Sequence, residues 1–397
     1  MKTEKLDLQL FKALYLIVAG IIVTQILDLD RITSTLFLLT FPMTVVLWLR
    51  TVRKMIAGSD LLMLAAAATA LVSVLLDIGI NDANISFDYL KKLIMFIMSL
   101  LFLQTAHRTR IDRSFTVFIN RLVDVLTLFF IFMYFARFTQ MHMINGRLSA
   151  YLTFRFTNSN LTGLFLICLY MLQVYRLFTP ERWYQKLVHI TMAVMMAVFV
   201  IQTQSRNCLL AMALFTAASA WLIFRGGWNL RITKFWAVMI ALVPVLFIGV
   251  YMMIFNAEWV KKVFAFLVGE GKGLDARVKV WTPGLQAVWE SPLIGAYCRI
   301  SEGTGMSQLH NSHLDIAASY GVPVLVIVMI LLSRYLHQGG KVYIGKSDFL
   351  YMLGFACAIL LGIGEAALYS GGLGIYVFIG AFLLLANRDT EPLAEKA

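Results

Sequence analysis

The chain has 397 residues, 60% of them hydrophobic and only 14% charged, and 34 Lys and Arg against 22 Asp and Glu leave it at +12. Soluble domains carry about 45–50% apolar and about 25% charged residues, so this chain is not one of them. Nucleic-acid binders gather positive charge on one exposed face, whereas here the charges fall in short clusters between long apolar runs, which excludes that partner. Cys168, Cys208, Cys298 and Cys357 show no paired metal-ligand spacing and read as packing residues.

An uninterrupted apolar run of about 17–25 residues crosses a bilayer core of about 30 Å as a helix, because a helix satisfies its own backbone in lipid. Twelve such runs are predicted, at 12–28, 33–49, 60–78, 92–106, 116–136, 161–178, 187–204, 207–224, 235–255, 314–333, 348–367 and 371–387. The expected fold class is an all-α integral membrane protein of about twelve transmembrane helices, one polytopic domain over 1–397, without internal repeats or linkers. No cleavable leader precedes the first run, so the N-terminus is expected to persist as an anchor. One larger hydrophilic loop, 256–312, is expected to carry part of the site. With the N-terminus inside, the inner segments hold 20 Lys and Arg and the outer ones 13, nine of these in 137–160 and 256–312. Short cytoplasmic loops hold the cationic excess, so both termini are expected to be cytoplasmic and loop 256–312 outside.

The polar clusters of the outer segments follow in chain order. Arg147, and then Arg155, Asn158 and Asn160 ahead of the sixth run, join guanidinium groups to short amides; this suits a sugar or phosphate, although helix capping explains the asparagines equally well. Gln204-Ser205-Arg206-Asn207 is a tight turn between two apolar runs. There Ser205 is expected to cap the eighth run, whose positive dipole end would face the same point as Arg206: a phosphate site, or a snorkelling arginine. In Gly273–Trp281, Arg277 and Trp281 lie one helical turn apart on one face with Lys279 between them, Pro283-Gly284 is expected to bend or restart the helix, and Ser291-Pro292 to end it. Leu309-His310-Asn311-Ser312-His313-Leu314-Asp315 opens the tenth run, with Asn311 or Ser312 as cap. A histidine's ordinary pKa of about 6.5 lets His310 take a proton from a substrate hydroxyl; His313 is the rival, and both could simply be interfacial residues.

Arginines with a base beside a membrane suit a polyanionic lipid head group. The arginines neutralise a pyrophosphate leaving group and the base activates the incoming hydroxyl. The outer segments hold no Asp-x-Asp pair or metal-ligand cluster, so a displacement without metal or cofactor is expected.

Ser205-Arg206 opening an apolar helix, then Arg277-x3-Trp281-x10-Pro292-x2-Gly295, then His310-Asn311-x2-Leu314-x6-Gly321 resemble, over about residues 140–335, the bacterial O-antigen ligase and O-antigen polymerase superfamily. The resemblance implies a membrane-embedded glycosyltransferase of the bacterial inner membrane, active on the periplasmic face in lipopolysaccharide biosynthesis. Its donor would be an undecaprenyl-diphosphate-linked glycan. Its acceptor would be a lipid A–core sugar hydroxyl for a ligase, or a second lipid-linked repeat for a polymerase. Arg206 and Arg277 match the arginines that hold the diphosphate, His310 matches the base, and transfer is expected to invert the anomeric centre. The chain departs from many relatives in having Ser319-Tyr320 before Gly321 where they carry an acidic residue, which leaves Asp315 as the near candidate for an orienting carboxylate. The single compact loop with the histidine at its end favours the ligase. A transporter would show internal symmetry and buried charges near the midplane, of which the runs offer little beyond Asp124 and Glu365.

Overall fold

A computed structural model describes residues 2–53, 56–81, 87–136, 141–144, 147–154, 156, 159–179, 181–224, 230–255, 274–296, 309–338, 341, 346–365 and 374–387; the side chains at 2–4, 81, 87–89, 141–151, 253–255, 274–278 and 346–347 are outside the description. The elements are α1 (Lys2–Ile26), α2 (Asp30–Val52), α3 (Gly58–Asn81), α4 (Phe87–Arg108), α5 (Arg113–Phe135), β1 (Met141–Ile144), β2 (Arg147–Leu152), α6 (Ser159–Arg176), α7 (Trp183–Thr203) and α8 (Arg206–Phe224). They continue with α9 (Lys234–Phe255), α10 (Leu274–Glu290), α11 (Ser312–Tyr320), α12 (Val322–His337), α13 (Lys346–Leu361) and α14 (Ile375–Ala386).

Among the described residues each of the twelve apolar runs overlaps helix, with the run 314–333 broken at Gly321 and the run 348–367 leaving helix after Leu361. Eight helices, α1 to α5 and α7 to α9, are long and apolar enough to cross a membrane; α12, α13 and α14 are shorter apolar helices. The outer helices turn apolar side chains outward, Leu38 at 71% and Phe224 at 85% exposure, which fits lipid rather than water as their surroundings. The chain is consistent with an integral membrane protein. Its inner layer is α6, α14 and much of α4, with every residue of α14 buried. α14 packs against α4, α6 and α13, and the Tyr15 hydroxyl of α1 donates to the Val377 carbonyl at 2.9 Å, joining the first helix to the last.

Buried charge is more abundant than the runs alone suggested, and it is paired, as a low-dielectric interior requires. Asp7 meets Arg50 at 2.5 Å, Asp60 meets Arg108 and Gln104, and Arg176 bridges Asp124 and Glu181.

Three local expectations need correction. The all-α reading missed an antiparallel hairpin in which Met141 faces Leu152 and Ile144 faces Arg147, because strands of four and six residues are too short to leave a legible alternation. The single span at 314–333 is two helices. Gly321 sits between them at φ +89°, in a backbone region that favours glycine, and a Cβ there would collide with the Leu293 carbonyl. Val322 N–H then donates to the Pro292 carbonyl at 2.8 Å, which seats the chain after α10 against the break. Finally, of the bend or restart expected at Pro283, the restart does not occur, since α10 is continuous there; it stops at Glu290, ahead of Ser291-Pro292, as expected.

Candidate functional site

The segment 309–315 is held almost atom by atom. Asn311, extended at φ −150°, caps α11 by accepting from the N–H groups of His313 at 3.0 Å and Leu314 at 2.9 Å. Its Nδ2 donates to the carbonyls of Pro244 at 3.1 Å and Ile363 at 2.9 Å, so the amide has spent its hydrogen bonds on the fold and has none left for a substrate. Ser312 N–H donates to Gly362 O and its Oγ to Glu365 O, both at 2.9 Å. The turn 362–365 after α13 is thereby fastened to the start of α11.

That turn delivers a carboxylate to His310. Glu365 Oε2 lies 3.2 Å from His310 Nδ1, and Glu365 Oε1 accepts from Asn160 Nδ2 at 2.6 Å. The Glu365 side chain is 7% exposed and that of His310 is 30% exposed. A carboxylate at Nδ1 favours the tautomer with the proton on that atom, which makes Nε2 the basic atom. Asp315, expected as the orienting carboxylate, is engaged elsewhere: its Oδ1 accepts from Lys92 Nζ at 2.9 Å and from Leu309 N–H at 3.1 Å. His313 is wholly buried, its ring against the α9 backbone at Ala241.

Helix α8 begins beside the same turn. Arg206 is its first residue and is exposed. The side chain of Asn207 lies so close to Gly364 that a methyl group on that glycine would overlap its amide. Ser205 is buried with Thr203 and Cys208 against Gly163, and its Oγ makes no capping hydrogen bond among the described residues. The dipole ends of α6, carrying Asn160, and of α8 and α11 therefore all meet the 362–365 turn, an arrangement that favours negative charge.

Helix α10 reaches the site through Trp281, which is buried, donates from Nε1 to the Leu309 carbonyl at 2.9 Å and packs edge-on to Tyr251 at 5.0 Å. Arg277 occupies the position one turn earlier on α10, and Lys279 is exposed. The Arg277 side chain, that of Arg147 on β2, and Arg155 and Asn158 lie outside the described residues, as do 256–273 and 297–308 of the loop. The structure thus joins His310, Asn160 and the α8 N-terminus, and adds Glu365 and Lys92, which the sequence reading had not assigned to the site. The available signal for Glu365 was an acid in Gly362-Ile363-Gly364-Glu365, a glycine-rich break within an apolar run.

No curated protein matches the chain. Residues 191–329 match the family described as O-antigen ligase. The match runs from α7 into α12, so it contains Arg206, Arg277 and His310 but not Lys92, Asn160 or Glu365. The family's members are glycosyltransferase-like enzymes of O-antigen processing, which implies lipid-linked polysaccharide substrates. With the eight apolar helices among the described residues the match points to a multi-pass membrane protein, and the similarity over residues 191–329 is consistent with the O-antigen ligase and polymerase superfamily.

Proposed function

We propose that the protein is an O-antigen ligase-type glycosyltransferase of the bacterial inner membrane, moving a glycan from an undecaprenyl-diphosphate carrier to a lipid A–core sugar hydroxyl at the periplasmic face. The observation that carries this reading is the His310–Glu365 pair set against the N-terminus of α8, where Arg206 stands. His310 and the start of α8 both flank the 362–365 turn, and displacement of a diphosphate needs a base and a cation near each other.

In this mechanism the acceptor O–H gives its proton to His310 Nε2 as its oxygen bonds to the anomeric carbon. The carbon–oxygen bond to the diphosphate breaks on the opposite face and its electron pair leaves on the diphosphate, so the anomeric centre inverts. Arg206 and Arg277 hold the departing charge with the three helix N-termini, and Glu365 stabilises the imidazolium that forms. The chemistry uses neither metal nor cofactor. The cation count of 20 inner against 13 outer supports cytoplasmic termini and a periplasmic 256–312 loop.

A polymerase would use the same donor and groups with a second lipid-linked repeat as acceptor; the single compact loop ending at His310 favours the ligase. The lipopolysaccharide ladder of a strain lacking the protein decides between them. The ligase reading predicts loss of all long chains while the lipid-linked polymer accumulates. A core carrying one repeat contradicts it and establishes the polymerase.

A further inference from the structure

His310 has φ +52°, in the left-handed region that non-glycine residues adopt only where their surroundings hold them there. The residue before it is held at both of its backbone polar groups: Trp281 Nε1 donates to the Leu309 carbonyl at 2.9 Å, and the Leu309 N–H donates to Asp315 Oδ1 at 3.1 Å. That same Oδ1 accepts from Lys92 Nζ at 2.9 Å, and Lys92 also donates to Ser319 Oγ at 3.1 Å. The Lys92 and Asp315 side chains are 8% and 6% exposed, so each charge depends on the other. Two further contacts fix the far end of α11 to the same part of the molecule: Ser73 Oγ on α3 donates to the Tyr320 carbonyl at 3.0 Å, and Phe96 on α4 stacks on Tyr320 with ring centroids 4.7 Å apart.

We infer that Lys92 is a positioning residue for His310: it holds Asp315 Oδ1 against the Leu309 N–H, and the backbone of Leu309, held at its carbonyl by Trp281, aims the imidazole. Lys92 does not touch the reacting atoms, and it lies about a hundred residues ahead of the segment that matches the family. The inference rests on His310 being the base of the proposed transfer, and it makes α4 part of the catalytic apparatus.

The test uses the full-length protein in detergent, read by kcat and donor KM per folded molecule and by the rate at which diethyl pyrocarbonate carbethoxylates His310, followed by mass spectrometry. Two double variants both delete the buried charge pair. Lys92→Met with Asp315→Asn keeps an oxygen acceptor for the Leu309 N–H, whereas Lys92→Met with Asp315→Leu removes it. The second should lose about tenfold to hundredfold in kcat relative to the first, with donor KM changed by less than about twofold in either. His310 carbethoxylation should change by about threefold or more only in the second. Lys92→Met and Trp281→Phe act on the backbone of one residue, so their combined loss in kcat should be no more than about that of the larger single loss. Equal kcat and equal labelling rates in the two double variants overturn the inference, as does a pure loss of abundance or Tm with kcat intact. If His310→Ala retains full turnover, the transfer reading fails instead, and the labelling rates of wild type and the Lys92→Met single variant still decide whether Lys92 positions the imidazole.

Discussion

Glu365→Gln is the most informative single change at the site, because it keeps the side chain's shape and removes its charge. Opposite unit charges at the observed 3.2 Å attract by about 5 kcal/mol at an effective dielectric of about 20. The His310 side chain is 30% exposed, and Glu365 gave up water on burial; discounting by about half leaves roughly 2–3 kcal/mol of support for the imidazolium that forms as the acceptor loses its proton. At about 1.4 kcal/mol per tenfold, kcat should fall roughly 30- to 150-fold. Initial rates with purified protein, lipid-linked donor and acceptor, taken at matched folded concentration, read this loss. A kcat within about twofold of wild type would refute the assignment of Glu365 to His310.

The arginine fork is tested by Arg206→Lys, which keeps the charge but cannot engage two phosphate oxygens at once and should lose most transfer activity; wild-type rates there and in Arg277→Lys would mean the leaving-group role is misassigned. Turnover should persist in excess chelator, and activity that vanishes with chelator and returns with magnesium or manganese would overturn the metal-free displacement. Reporter fusions after Phe224 and Gln338 should report cytoplasm and one after Ser291 periplasm. A cytoplasmic Ser291 would place the site on the wrong face of the membrane.

The helices were legible because lipid imposes a length on each apolar run, and every run overlaps helix among the described residues. Asn311 could be read as a cap because a cap acts within three residues, a distance that sequence spacing reports directly. Glu365 could not be paired with His310 that way: 55 residues separate them, and only packing of the 362–365 turn on α11 brings them together. Lys92 entered the sidedness count as an outer charge, yet it lies within α4 and is buried against Asp315. Hydropathy also runs straight across Tyr320-Gly321-Val322-Pro323, so the break between α11 and α12 is invisible to a window average although the glycine and proline mark it.

The account stands most directly on which histidine takes the proton. Turnover of His310→Ala and His313→Ala should be compared with wild type at matched membrane abundance, with binding of the lipid-linked donor measured in parallel. His310→Ala should still bind donor, which the arginines hold, while its rate falls by roughly 10²–10⁴, the usual contribution of a general base. His313→Ala, altering a ring packed inside the fold on α9, should cost much less turnover per folded molecule. An inactive His313→Ala beside a fully active His310→Ala would contradict the account and move the catalytic role to His313.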